Sequence, residues 1–125
     1  MKISDIYWHD SQIEKISIEF DKAELLVESD SKFYLITCTG LIGLTNLCFW
    51  DDTILWDMWV ENADTSSDVF LKDVFANYDK DYDYYFGGGR ILGDDILVLV
   101  AHIINNIPAK IYCKKIDVSL LSASE

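Results

Sequence analysis

Ile13-Glu14-Lys15-Ile16-Ser17-Ile18-Glu19-Phe20, followed by Asp21-Lys22 and then Ala23-Glu24-Leu25-Leu26-Val27-Glu28-Ser29, carries the strand signal of this chain. In the first run Ile16, Ile18 and Phe20 alternate with Lys15, Ser17 and Glu19. A period of two places one set of side chains in a core and the other in water, which describes a half-buried strand. After the Asp21-Lys22 turn the alternation resumes through Leu25 and Val27, so the pair predicts a hairpin. Ser29-Asp30-Ser31-Lys32 supplies the next turn, because short Ser and Asp side chains hydrogen-bond to nearby backbone. Phe33 to Cys38, rich in β-branched and aromatic residues, makes a third strand.

The same pattern extends along most of the chain. Gly40 and Gly43 punctuate a stretch whose Leu41, Leu44 and Leu47 fit either a strand or a helical turn. Ile54 to Glu61 alternates again, which predicts Ile54, Trp56, Met58 and Val60 on one face and Asp57, Trp59 and Glu61 on the other. Between residues 67 and 77 the period changes. Phe70, Leu71, Val74 and Phe75 form a stripe at helical spacing, with Ser67 or Asp68 available as N-cap, so one short helix is expected. Ile96 to Ile103 fits a strand buried on both faces or a buried helix. Ile111 to Val118 reads as a last strand whose apolar phase slips at Lys114-Lys115, the mark of a bulge. About seven strands and one helix predict a mainly antiparallel α+β domain. A twisted sheet or small sandwich with the helix on one side would bury this pattern.

Composition sets outer limits. The chain has 125 residues, half of them apolar, with 22 acidic against 10 basic side chains and a formal charge of −12. One domain spanning residues 1–125 is expected at this length. So strong an acidic excess argues against nucleic-acid binding, which needs Lys and Arg to neutralise phosphates. The longest apolar run, Ile96 to Ala101, is far short of the ~20 residues of a membrane-spanning helix. Lys2 and Asp5 precede any apolar run, so the N-terminus does not read as a signal peptide. Cys38, Cys48 and Cys113 are odd in number, contain no C-x-x-C pair and sit in apolar stretches, the usage of free buried thiols in a reducing cytoplasm.

No familiar chemistry emerges from the motifs. His9-Asp10 invites comparison with metal-dependent phosphohydrolases, yet only His9 and His102 are present, and a transition-metal site needs three or four converging ligands. Asp79-x-Asp81-x-Asp83 opens like a calcium loop, but Tyr84 occupies the position that needs Gly and Arg90 the one that needs Glu. Gly87-Gly88-Gly89-Arg90 lacks the lysine and hydroxyl of a phosphate loop. No serine lies in a G-x-S-x-G elbow. Cys113 with His102 is conceivable as a pair, although both sit in strand-like core stretches. Asp51-Asp52 and Asp94-Asp95 suit turns and caps. Neither a catalytic residue, nor a metal ligand set, nor a cofactor is expected.

The distribution of charge is more informative. Residues 51–95 hold 12 acidic and 3 basic side chains, three-quarters of the net charge, interleaved with Trp50, Trp56, Trp59, Tyr78, Tyr82, Tyr84, Tyr85 and Phe86. Rings beside carboxylates suit a binding surface, since aromatic residues give contact area at low entropic cost and a single-sign field accelerates encounter with an opposite charge. On that ground Asp79, Asp81, Tyr82, Asp83, Tyr84 and Tyr85 are candidate partner-binding residues, with Asp57, Trp59 and Glu61 as a second patch.

Two short patterns bracket the chain: Tyr7-Trp8-His9-Asp10-Ser11-Gln12-Ile13-Glu14-Lys15-Ile16 and Ile111-Tyr112-Cys113-Lys114-Lys115-Ile116-Asp117-Val118. Together they resemble small β-rich bacterial proteins, several of them immunity proteins of polymorphic toxin systems. The resemblance touches about twenty residues at the two ends and does not identify the candidate patch. It implies a non-enzymatic cytoplasmic inhibitor of a cognate toxin domain or other basic protein. Two further readings stand beside it. One is a small enzyme with a site near His9, Asp10 and His102; the other is a structural protein that self-associates through exposed tryptophans.

Overall fold

A computed structural model describes residues 1–45, 53–63, 68–76, 96–103 and 108–123. The strands are β1 (Gln12–Glu19), β2 (Lys22–Ser29), β3 (Lys32–Thr39), β4 (Gly43–Thr45), β5 (Thr53–Asn62), β6 (Leu97–Ile103), β7 (Ala109–Cys113) and β8 (Lys115–Ala123). A short helix, α1 (Val69–Ala76), and a 3-10 turn at Ile3–Asp5 complete the described elements. All pairings are antiparallel, in one open sheet of order β4-β7-β6-β5-β1-β2-β3-β8. The mainly antiparallel expectation holds as a twisted sheet, with eight strands where about seven were expected.

The extra strand arises at Lys114. Where the sequence suggested one strand with a bulge, the chain bends and changes ladder: β7 pairs with β4 and β6, and β8 pairs with β3. The same bend occurs across the ribbon at Gly40, between β3 and β4. Hydrogen bonds continue through the corner, Lys114 N–H to Thr39 O at 3.0 Å and Ile42 N–H to Tyr112 O at 2.8 Å. The two ends of the sheet order are therefore halves of one bent ribbon, and the sheet must coil around a shared interior. Gly40 makes the corner possible. Its φ is +66°, and a Cβ there would lie 2.8 Å from Lys114 Cβ.

The interior is what the alternating strands enclose. Ile13, Leu25, Val27, Ile36, Cys38, Leu55, Leu99 and Cys113 are fully buried in one cluster. Each large aliphatic side chain so buried contributes about 1.5–3 kcal/mol. Two one-residue slips set which residues reach it. In β1 the register shifts between Ile13 and Lys15, and in β5 between Leu55 and Asp57. The second slip corrects the expectation that Ile54, Trp56, Met58 and Val60 share one face. Leu55 and Met58 are buried, while Ile54 and Trp56 are exposed, because an inserted residue reverses the facing of everything before it.

Residues 96–103 resolve as strand β6 preceded by Ile96, and α1 explains the run's unbroken hydrophobicity. Leu71 and Phe70 pack on Ile96, Val98, Val100 and Tyr112, so β6 is covered on both faces. Asp68 caps the helix: its Oδ1 accepts Leu71 N–H at 3.0 Å and its Oδ2 accepts the Tyr112 hydroxyl at 2.9 Å. Phe70 stacks on Tyr112 at 4.6 Å between centroids. The helix expected over 67–77 thus begins directly after Asp68. No described helix is long and apolar enough to cross a membrane.

Candidate functional site

Residues 1–11 lie along β5 and carry one anchor. Trp8 is 1% exposed, donates Nε1–H to Ile3 O at 2.9 Å, and meets Tyr34 edge-on at 5.6 Å. Its neighbours cannot follow it inward. Tyr7 is 79% exposed, and His9 is half-buried. The chain then turns over Trp8–Ser11, with Ser11 N–H donating to Trp8 O at 2.9 Å and Asp10 at φ +64°. Asp10 N–H donates to Leu55 O, and Leu55 N–H to Ser11 O, which fixes the turn against β5.

Opposite stands the β2–β3 turn. Ser29 pairs with Lys32, so Asp30 and Ser31 are the two loop residues, at φ +51° and +62°. Positive φ at both positions is the twist-compatible hairpin geometry, usually filled by Asn and Gly. Ser29 Oγ–H donates to Tyr7 O at 3.0 Å and ties the two turns together. Between them lies a cavity of about 560 Å³ walled by Asp5, Tyr7, His9, Asp10, Asp30 and Tyr34, with Ile6, Ser11 and Ser29 completing it. Among the described residues neither Lys nor Arg lines it. Beside it the rings form a row, Tyr7 to His9 at 6.0 Å and His9 to Trp56 at 4.5 Å, and Trp56 is 51% exposed. His9 Nδ1–H donates to Trp56 O at 3.2 Å, while Nε2 faces Asp10 Oδ2 at 3.5 Å. With the Nδ1 proton committed to that carbonyl, Nε2 holds a second proton only in the imidazolium form.

The structure brings some expected residues together and separates others. His9 and Asp10 share the cavity wall. His102 does not line it; it stands across β5–β6 from Asp57 with its ring edge-on to Trp59 at 6.5 Å. The convergence of His9, Asp10 and His102 required by the enzymatic reading is therefore not what the fold builds. Cys113 and His102 are separated too. Cys113 lies in the interior with Cys38, whose thiol is pushed up by its hydrogen bond with Cys113 and by burial. Among the described residues no group of three or more His, Cys, Asp or Glu could hold a metal ion.

Asp57, Trp59 and Glu61 do share the outer face of β5. Trp59 Nε1–H donates to Glu61 Oε1 at 2.8 Å, Met58 N–H donates to Asp57 Oδ1 at 2.7 Å, and the Trp59 ring rests half-buried against the cluster under α1. Asp79, Asp81, Tyr82, Asp83, Tyr84 and Tyr85 lie outside the described residues, as does Cys48. The Tyr7–His9–Trp56 row was not singled out from the sequence. Its signal was present in Tyr7-Trp8-His9, where burying Trp8 on an extended segment forces both neighbours outward. A second cavity of about 540 Å³ is apolar, bordered by Ile3, Val60, Leu97, Ile116 and Val118 near the N-terminus.

Fold and site together define a coiled antiparallel β-sheet protein that presents exposed rings and carboxylates around a surface cavity. The chain matches no protein-family model, no curated protein and no solved structure.

Proposed function

We propose that this chain is a non-enzymatic binding protein that engages a basic partner protein, in the manner of an immunity protein neutralising a cognate toxin domain inside the cytoplasm. The supporting observation is the row Tyr7–His9–Trp56, with Tyr7 and Trp56 exposed, beside Asp5, Asp10 and Asp30, and no Lys or Arg among the described residues lining the adjoining cavity. Exposed tryptophan and tyrosine are the residue types that dominate interface energetics. Carboxylates around them favour a cationic partner and disfavour nucleic acid. Asp57 and Glu61, exposed on the same strand as Trp56, extend the acidic surface. The candidate stretch from Asp79 to Tyr85 belongs to the same proposal through its composition.

The experiment is co-production of the chain with the product of the neighbouring reading frame, followed by binding kinetics on the purified pair. The expected result is a stoichiometric complex and loss of the partner's toxicity. The association rate should fall by about tenfold or more as salt rises from low to molar concentration. Trp56→Ala should accelerate dissociation while leaving folding stability within about 0.5 kcal/mol, since the ring is half exposed. Absence of a complex, or a complex indifferent to both Trp56→Ala and salt, overturns the reading.

A further inference from the structure

We infer that the apolar cavity beside residues 1–4 binds a small amphipathic acid, an aliphatic carboxylate whose tail enters between the two halves of the bent ribbon; this does not rest on the partner-binding reading. Val60 and Leu97 wall the cavity from β5 and β6, in one half, and Ile116 and Val118 from β8, in the other. Residues directly opposite each other in an antiparallel ladder share a face of the sheet. Val60 pairs with Leu99, Leu97 with Cys113, Ile116 with Cys38 and Val118 with Ile36. All four partners are fully buried in the common interior. The wall residues therefore belong to the interior face, yet Val60 is 37% exposed and the other three are only partly buried. The cavity is the place where the interior opens to the surface between the halves, the mouth of the coiled sheet. Such mouths are recurrent sites for small ligands, and 540 Å³ lies within the range of about 300–1,000 Å³ that those sites span.

The polar groups of the cavity come from one short segment. Ile3 is buried, whereas its neighbours Lys2 and Ser4 are exposed and border the same space. Among the described residues no Asp or Glu lines it, in a chain with 22 acidic side chains and a net charge of −12. Two carboxylates of adjoining residues are engaged elsewhere. Asp5 Oδ2 accepts the Lys2 backbone N–H at 2.7 Å and Asp5 borders the other cavity, while Glu61 Oε1 accepts Trp59 Nε1–H at 2.8 Å. Lys2 Nζ enters no ion pair among the described residues. A cation and a hydroxyl at the rim of apolar walls match a ligand with an anionic head and an apolar body. Withdrawing the tail from water supplies the affinity, and the head sets the orientation.

The test is a titration of the intact protein with decanoate, decanol and decylammonium, each held below its micelle concentration and read by methyl and amide NMR. Decanoate should give saturable shifts centred on Ile3, Val60, Leu97, Ile116 and Val118. Decanol, which has the tail without the charge, should bind up to about fivefold more weakly. Decylammonium should bind more weakly still, although the net charge of the chain attracts it. Lys2→Gln should bring decanoate to within about twofold of decanol and leave decanol unchanged. Val60→Phe, which adds bulk at a half-exposed position of the wall, should weaken decanoate by about tenfold or more while the amide spectrum stays that of the folded chain. Val118→Phe is the second such variant, from the opposite half.

Decylammonium binding as tightly as decanoate overturns the choice of an acid, as does a decanoate affinity that Lys2→Gln leaves unchanged. Shifts that fail to saturate, that centre away from the five wall residues, or that persist in both folded Phe variants overturn the site itself.

Discussion

Asp68→Ala tests how the outer layer of the fold is fastened. One carboxylate performs two tasks, since Oδ1 accepts Leu71 N–H at 3.0 Å and Oδ2 accepts the Tyr112 hydroxyl at 2.9 Å. Losing an N-cap costs about 1 kcal/mol. Tyr112 is 2% exposed, so its O–H would lose this acceptor in the interior, where Thr45 is the hydrogen-bonding neighbour that remains, at a further cost of about 1–3 kcal/mol. The expected destabilisation is about 2–4 kcal/mol. With a urea slope of about 1.5 kcal/mol per molar, that lowers the midpoint by roughly 2 M, readable by tryptophan fluorescence. Tyr112→Phe removes the hydroxyl instead of stranding it and should cost about 1 kcal/mol. In the double variant the two losses should not add, falling short of their sum by about 1 kcal/mol or more. Asp68→Asn keeps one acceptor oxygen for the cap but sets an N–H donor where the Tyr112 hydroxyl needs an acceptor, so it should fall between wild type and Asp68→Ala. A midpoint for Asp68→Ala within about 0.3 M of wild type, or additive losses in the cycle, would refute the two-fold role.

Gly40→Ala should destabilise by about 2–4 kcal/mol, from left-handed backbone strain and from a Cβ forced against Lys114 Cβ, with Lys114→Gly in the same chain recovering the second part. Urea midpoints of the single and the double variant against wild type check this. Burial, and then the hydrogen bond to Asp68, raises the Tyr112 pKa above its ordinary value of 10.0. Above pH about 10 the unfolded chain gives up that proton while the folded one keeps it, so stability must fall as pH rises. Tyr112→Phe should show a shallower loss between pH about 10 and about 12 in the same denaturation assay. Leu71→Ala empties a fully buried position and should cost about 2–5 kcal/mol, an effect absent if α1 does not cover β6.

The strands were legible because alternation is a local signal. The run from residue 16 to 38 contains its own turns, and β1, β2 and β3 lie where it placed them. The burial expected from the phase of the first strand did not hold, since Ile18 and Phe20, expected in the core, are 47% and 67% exposed beyond the register shift between Ile13 and Lys15. Helix α1 was legible for the same reason, through the change of period and the cap at Asp68. What escaped was set by partners distant in sequence. At Trp56 one inserted residue reverses the facing of the strand, and only the register against β6 reveals it. At Lys114 the irregularity was visible as a slip of phase. That it marks a change of ladder, from β4 and β6 to β3, depends on Gly40, more than seventy residues earlier. The candidate site followed the same rule. Acidic and aromatic content pointed to 51–95, whereas the row of rings on the described surface joins Tyr7 and His9 to Trp56 from separate parts of the chain.

The division of labour on this surface can be argued from its construction. Charge acts at a distance and is screened by salt, whereas ring contact acts only once two surfaces have met. On the binding reading proposed above, Asp5, Asp10, Asp30 and Asp57 would therefore govern how often a cationic partner arrives, and Tyr7 and Trp56 how long it stays. Because Trp8 and Leu55 root the Trp8–Ser11 turn in the common interior, and Ser29 Oγ–H ties the second turn to Tyr7 O through backbone, a substitution at either kind of surface residue should leave the other's geometry in place. Asn replacements at Asp10 and Asp30 should thus slow association and flatten its salt dependence with little change in dissociation. Ala replacements at Tyr7 and Trp56 should do the reverse. Surface plasmon resonance with the partner separates the two rates. If the carboxylate variants acted mainly through dissociation, the acids would be contact residues buried against the partner, and the long-range role assigned to them would be wrong.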